Sequence, residues 1–411
     1  MDPLHCRFCQ SALQYSFADL NTSPLSNSYL EAGQLNKKEA YYPLHAYVCS
    51  ACFLVQLQEF ETPQEIFSDY AYFSSYSESW LQHAENYTQM MLKRFALNAQ
   101  SQVIEIASND GYLLQFFHQQ GIPVLGIEPA ANVAQVAIAK GIPTQVQFFG
   151  CDTVRQSKSQ TPLADLLVAN NVLAHVPDLN DFVAALTLVL KPQGIMTIEV
   201  PHLLSLIQGK QFDTIYHEHF SYFSLTTLQA VFKAQQFEIF DVDRLSTHGG
   251  SLRLYVQHQS TGTQPLSHNV KDILAVEAQA GLLEVSTYTS FHQQIMQVKL
   301  ELLQFFIDSK KQNKRIAAYG APAKGNTLLN YCGIGTDFID FTVDRSPHKQ
   351  GRFLPGSRIP IYAPERIKEE KPDYLFILPW NLTSEIRAQN AYIHEWGGTF
   401  VTAVPSLSVF S

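Results

Sequence analysis

At 411 residues the chain is too long for one ordinary domain of about 150 residues and points to two or three. Hydrophobic residues make up 46% and aromatics 12%, enough for several cores, which excludes intrinsic disorder. Lys and Arg number 28 against 37 Asp and Glu, a formal charge of −9 with no basic stripe, which argues against a nucleic-acid binder.

The first residues, MDPLHCRFCQ, lack the basic and apolar regions of a secretory signal. No run of 18 apolar residues occurs, so no membrane partner is expected and a cytoplasmic protein is. Four cysteines form two C-x-x-C pairs, Cys6/Cys9 and Cys49/Cys52, while Cys151 and Cys332 stand alone. Without a secretion route a disulfide framework is not expected. Two such knuckles fit a tetrahedral Cys₄ zinc site, structural because four thiolates leave no open position for chemistry. Residues 1–66 read as a zinc lobe, too small to hold much core without its metal.

An aromatic run, SDYAYFSSYSESW, leads into a helix expected from Trp80 to about Asn98, with Leu81, Ala84, Tyr87, Met91, Leu92 and Phe95 near helical spacing. From Ser101 strands and helices alternate. Strands are expected at SQVIEIAS, VLGIEP, TQVQFF, ADLLVANN and GIMTIEV. Helices fall through Leu113 and Phe117, at Asn132–Lys140 and at Leu179–Leu190, the last followed by a turn at Pro192-Gln193-Gly194. The runs FEIFDVDRL and SLRLYVQHQ, separated by Ser246–Gly250, read as a hairpin. Five alternating strands closed by a hairpin mean a doubly wound, Rossmann-like sheet of the class I methyltransferase type over residues 67–260. A linker and helix follow at 261–313. A second Rossmann-like α/β unit closes the chain at 314–411, with strands RIAAYGA, DFIDFTVD, DYLFIL and TFVTAV.

The first strand-to-helix turn, EIASNDGYLL, has one glycine, Gly111, where a pyrophosphate-hugging turn needs three. That suits a ligand without phosphate, such as the zwitterionic sulfonium S-adenosylmethionine. Glu105, Asp110 and the turn backbone are candidates for its ammonium, and Glu128, ending the second strand, for its ribose hydroxyls. Ala107, Gly111, Pro129, Asn170 and Asn171 complete the expected cofactor set.

Three further loops bring histidines to the same sheet edge: His175 after the fourth strand, the run YHEHFSYF after the fifth, and His248 to Gly250 after the sixth. The second carries Tyr216, His217, Glu218, His219 and Tyr222. Two readings compete. His217, Glu218 and His219 have the composition of a two-His, one-carboxylate metal triad, although further ligands are lacking. A histidine flanked by Glu and Tyr is also what proton removal beside a carbonyl requires. In an extended run His217 and His219 share a face, and only a tight turn would let Tyr216, Glu218 and His219 converge. In the last unit, the turn from Gly320 to Asn326 exposes backbone N–H groups beside Lys324, a candidate diphosphate site, with Asp344 and Lys349 at the next strand end.

Over nearly its full length the chain resembles the sugar C-methyltransferases that act on 4-keto-deoxy-sugar nucleotides, commonly at C3. The resemblance lies in the double C-x-x-C lobe, DLNTSPLSNSYL, DYAYFSSYSESW, EIASNDGYLL, GIEP, NNVLAHV, IYHEHFSYFS, HGGSLR and AYGAPAKGNTLLN. It implies a zinc lobe, an S-adenosylmethionine-binding central domain and a C-terminal domain that helps hold the nucleotide sugar. It implies His219 as the base, assisted by Tyr216, Glu218 and His175, with Tyr70 over the cofactor. Tyr222, His248, Gly250, Lys324, Asn326, Asp344 and Lys349 are the expected substrate contacts. The size is compatible with a monomer. An O-methyltransferase and a non-catalytic nucleotide-binding module remain the alternatives.

Overall fold

The computed structural model describes residues 4–62 and 73–410, so the expected role of Tyr70 lies outside the described residues. The central unit is a sheet of seven strands: β1 (Val103–Ile106), β2 (Val124–Ile127), β3 (Thr144–Gln145), β4 (Ala164–Asn170), β5 (Leu190–Pro201), β6 (Phe237–Leu245) and β7 (Ser251–His258). Their spatial order is 3-2-1-4-5-7-6, with β7 antiparallel to both neighbours and the first five strands parallel. The runs VIEI and VLGI are buried at every position, as parallel strands covered on both faces must be. The order reverses between β1 and β4, and there an open sheet presents its crevice.

Two expectations within this sheet are corrected. Pro192-Gln193-Gly194 does not turn the chain but lies inside β5, where the register against β4 jumps from Ala164↔Leu190 to Leu166↔Ile195. The surplus residues bulge out of the ladder, and glycine is needed there because a Cβ on Gly194 would lie 2.7 Å from the Ala164 carbonyl oxygen. The run TQVQFF pairs only at Thr144–Gln145, because at this sheet edge the chain leaves the ladder and Gln147 to Phe149 line a cavity instead. The helix near the start of this unit spans Glu78–Arg94, its first turn capped by Ser77, whose hydroxyl accepts from the Trp80 N–H.

The zinc lobe has strands Tyr15–Ser23, Tyr42–Val48 and Val55–Leu57, and its fourth strand, Ser221–Tyr222, comes from the central unit. Near the C-terminus, Ile361–Tyr362, Thr342–Val343, Ile316–Tyr319, Tyr374–Ile377 and Thr399–Thr402 form a parallel sheet in that order, edged by the antiparallel Ser408–Phe410. Helices His268–Gln279 and Phe291–Lys311 connect the units. One continuous core runs from Phe17 of the lobe, stacked on Phe291 with centroids 4.6 Å apart, to Val404. Buried Glu277 on the first connecting helix accepts from His202, the N–H groups of Leu225 and Thr226, and the Thr226 hydroxyl, which locks the connection to the central unit.

Candidate active site

A cavity of about 620 Å³ opens at the carboxyl ends of β1, β2 and β4 and reaches the C-terminal unit. Its size is that of a site for a sizeable small molecule. One half belongs to the sheet. Ala107 and Asn109 have positive φ, 55° and 50°, and with Gly111 at 75° they fold a turn tight enough to leave Ala107 and Asn109 on the cavity wall. Glu128 lines the same wall. Its Oε2 accepts the Asn109 N–H at 2.9 Å and its Oε1 the Ala130 N–H at 2.9 Å, so the carboxylate is fixed between two turns. Burial pushes its pKa up while these two donors pull it down. Each oxygen keeps a lone pair for an incoming hydroxyl. Pro129, Asn170 and Asn171 also line this half.

Glu105, Asp110 and Gly111 do not line the cavity. Buried Asp110 accepts from the Ser75 N–H at 3.3 Å and lies 3.5 Å from the Lys140 ammonium. Glu105 is buried, which pushes its carboxyl well above the usual range. Gly111 packs on Ala137 and Ile142. These three shape the turn from behind.

The other half is built by loops. Tyr216 to His219 form a tight turn, closed by the His219 N–H donating to the Tyr216 carbonyl at 2.8 Å. The extended geometry is therefore absent here, and the turn separates the histidines. His217 faces the zinc lobe, with its Nε2 on the Pro43 carbonyl at 3.1 Å and its ring beside Tyr42 and Phe60. His219, Glu218 and Tyr216 line the cavity. With its two histidines pointing apart the run cannot form a metal triad, and among the described residues the only cluster able to hold a metal is the four cysteines.

His219 has a defined tautomer. Its Nδ1 lies 2.9 Å from the Thr214 carbonyl, which can only accept, so Nδ1 carries the proton. Its Nε2 is then the basic nitrogen, and the Tyr216 hydroxyl donates to it at 2.8 Å. Burial, together with neighbouring His175, His248 and Lys324, holds the His219 pKa well below 6.5, which keeps the ring neutral. His175, with its centroid 4.7 Å away, is held down to about 4 by burial, and so is His248. Glu218 accepts from the Asn27 amide at 2.7 Å, and burial pushes its carboxyl up to about 7.

At the far end, Lys324 and Lys349 line the cavity. The Lys324 ammonium lies 4.7 Å from the Trp380 ring and donates to Asn381 Oδ1 at 2.8 Å. Lys349 donates to the Ala321 carbonyl at 2.9 Å and sits over Tyr29. Tyr222 and His248 also line the cavity, whereas Gly250, Asn326 and Asp344 do not. Gly250 accepts the His202 N–H, Asn326 donates to the Ser26 carbonyl, and Asp344 accepts from the Ala321 and Ser346 N–H groups. Sequence reasoning assigned no role to Asn27, Tyr29, Trp80 or Gln147, all on the wall. Trp80 carries a signal as a large aromatic opening a helix, and Asn27 and Tyr29 lie in the run DLNTSPLSNSYL.

The cysteine cluster has the geometry of a metal site. The four sulfurs lie within 4.8 Å of one another, with Cys6–Cys52 at 3.6 Å and Cys9–Cys49 at 3.5 Å. A tetrahedron with Zn–S near 2.3 Å needs S···S near about 3.8 Å. The two knuckles are alike: Gln10 and Phe53 have φ of 63° and 59°, and each first cysteine donates its N–H five residues on, to Ser11 and Leu54.

Family profiles match in three consecutive stretches: a zinc-binding domain at 6–67, a methyltransferase domain at 80–242 and a C-methyltransferase C-terminal domain at 246–405. The C-methyltransferase NovU of Streptomyces niveus is 33% identical over 406 residues, 99% of this chain and 96% of that protein. The chain belongs to the C-methyltransferase family. A ubiquinone biosynthesis O-methyltransferase of Rhodopseudomonas palustris is 28% identical over 114 residues, 26% of this chain and 44% of that one. Magnesium protoporphyrin IX methyltransferase of Synechocystis, 15% identical, covers 43% of this chain and 82% of its own with a TM-score of 0.35. As a C-methyltransferase the protein uses S-adenosylmethionine as donor, and the Cys₄ lobe is its zinc site. No helix of the described residues is long and apolar enough to cross a membrane.

Proposed function

We propose that this C-methyltransferase methylates the carbon beside the ketone, C3, of a 4-keto-deoxy-sugar nucleotide. The observation that carries the reading is the neutral His219 with its basic nitrogen in the cavity and the Tyr216 hydroxyl 2.8 Å from it. Glu128 takes the ribose hydroxyls of the donor, with Ala107, Pro129, Asn170 and Asn171 around it. When bound, S-adenosylmethionine supplies an electrophilic sulfonium methyl for a carbanion. The Tyr216 hydroxyl turns from His219 to the ketone oxygen, and the bared Nε2 takes the proton from the neighbouring carbon, whose electron pair becomes the enolate. Donors aimed at the developing oxyanion favour that step, and a neutral ring leaves Nε2 ready to accept the proton. His175 and His248, neutral in the same wall, add no competing charge. Lys324 and Lys349 hold the diphosphate at the start of helix Ala323–Cys332. Four cysteines form the zinc site and Cys151 and Cys332 stand as single thiols, in keeping with a reducing, cytoplasmic compartment.

The test is incubation with S-adenosylmethionine and a panel of 4-keto-6-deoxyhexose nucleotides. The expected product gains one methylene in mass, and in deuterated water without the methyl donor deuterium enters C3 of the unmethylated sugar. Methylation of a hydroxyl without carbon-bound exchange would make the protein an O-methyltransferase.

A further inference from the structure

We propose that Asn27, carried into the cavity from the zinc lobe, is a positioning residue for Glu218. The inference rests on the reading of the Tyr216–His219 turn given above. The Asn27 Nδ2 donates to Glu218 Oε1 at 2.7 Å, and among the described residues no other donor reaches that carboxylate. The orientation of the amide is set from behind. The Tyr29 hydroxyl donates to the Ala321 carbonyl at 2.6 Å and leans on Asn27 Oδ1 at 3.3 Å, which leaves the NH₂ end for Glu218.

The segment carrying Asn27 is bolted to the C-terminal unit. The buried Asn326 amide donates to the Ser26 carbonyl at 2.5 Å, and the Ser26 hydroxyl lies 3.5 Å from that of Thr327. Thr327 also donates to the Ile215 carbonyl at 3.1 Å, one residue before the catalytic turn. Residues 26–29 therefore form a pin through three units, with Asn27 as its tip. A carboxylate buried among apolar groups is costly without a donor, and an amide N–H favours its charged form. With Asn27 on Oε1, the second oxygen of Glu218 is left to face substrate.

Glu218 is surrounded by groups from every unit. Tyr216 and His219 lie on its own turn, and the His175 ring bonds its backbone. Tyr29 lies on the lobe, and Lys349, paired with Asp344, sits over the Tyr29 ring from the C-terminal unit. None of these is hydrogen-bonded to the carboxylate, whereas Asn27 is, so its removal is the specific perturbation.

The experiment is Asn27→Leu and Asn27→Gln in the full-length, zinc-loaded protein. The Glu218 carboxyl is followed by infrared difference spectroscopy against Glu218→Gln across pH, a readout that needs no turnover. The midpoint near about 7 is expected to rise by about one unit in Asn27→Leu, since loss of a donor disfavours the charged form. With a 4-keto-6-deoxyhexose nucleotide, kcat should fall about tenfold, KM should stay within about twofold, and the pH profile should move to the alkaline side by the same unit. Asn27→Gln, which keeps the amide, should recover part of both. An unmoved Glu218 midpoint in a folded Asn27→Leu overturns the proposal, even if activity drops. Should Asn27→Leu not fold, the same comparison in Asn27→Ala, which also removes the donor, decides, with an unmoved midpoint and profile counting against it. Full activity in His219→Ala would overturn the base assignment instead, while the Glu218 titration still judges Asn27.

Discussion

The two halves of the cavity are built in different ways. The half proposed for the cofactor is made by three strand ends of one sheet, with Glu128 accepting from the Asn109 and Ala130 N–H groups. The half proposed for the substrate gathers Asn27 and Tyr29 from the lobe, His175, Tyr216 and His219 from the central unit, and Lys324 and Lys349 from the last unit. The first half needs only a correctly folded sheet. The second exists only when three units are docked, so its chemistry depends on distant packing.

The sharpest way to break the substrate half alone is His219→Ala. It should lower kcat by about 10²–10⁴-fold, the usual worth of a general base, while calorimetry still finds S-adenosylmethionine bound normally. Equal loss of cofactor binding would show that the halves are not separable.

Next comes the zinc. The Tyr216–His219 turn is moored to the lobe by His217 on Pro43 and by the Phe220 carbonyl accepting the Leu57 N–H at 3.0 Å. Cys49→Ser, or stripping the metal, should therefore cost about 10²-fold in activity through misplacement, before the central sheet melts. Circular dichroism alongside the assay checks this, and full activity in metal-free protein would refute the mooring.

Glu128→Ala breaks the other half. Losing a charge-assisted hydrogen bond is worth roughly 1.5–3 kcal/mol, so cofactor affinity should fall at least about tenfold in calorimetry. The Tyr216–His219 contact should be untouched.

The smallest effect is one of pH. The Glu218 carboxyl is raised from 4.5 to about 7, so its contribution to stability is complete below about 4.5 and is lost as pH rises through about 7. Between pH 5.5 and 8 the melting temperature of wild type should therefore drop relative to Glu218→Gln (the window is set by that shift). Parallel curves would place the Glu218 carboxyl in water.

This contrast also explains what the sequence reveals. The alternating strands, the Cys₄ spacing and Glu128 at a strand end are local patterns, and the structure shows the sheet, the cluster and the buried carboxylate. Asp110 and Gly111 sit in the right turn, but which side chain faces the ligand depends on the positive-φ residues around them, which no periodicity records. The split between His217 and His219 was equally hidden, since it follows from a turn and from Pro43 in another unit. Asn27 lies in a polar stretch without periodicity, and its partner Glu218 is remote in the chain. Contacts of that kind leave no local trace.

The strand Ser221–Tyr222, which completes the lobe's sheet against Val55–Leu57, bears on how the protein is made. During synthesis the N-terminal residues leave the ribosome first, but the sheet's last edge stays open until the chain has passed Tyr222. The zinc knuckles can close early, whereas the strand that carries the catalytic turn must thread back to a partner waiting since the first moments of translation. A nascent chain ending before Ser221 would thus leave the Val55–Leu57 edge unpaired, a template for pairing with another chain.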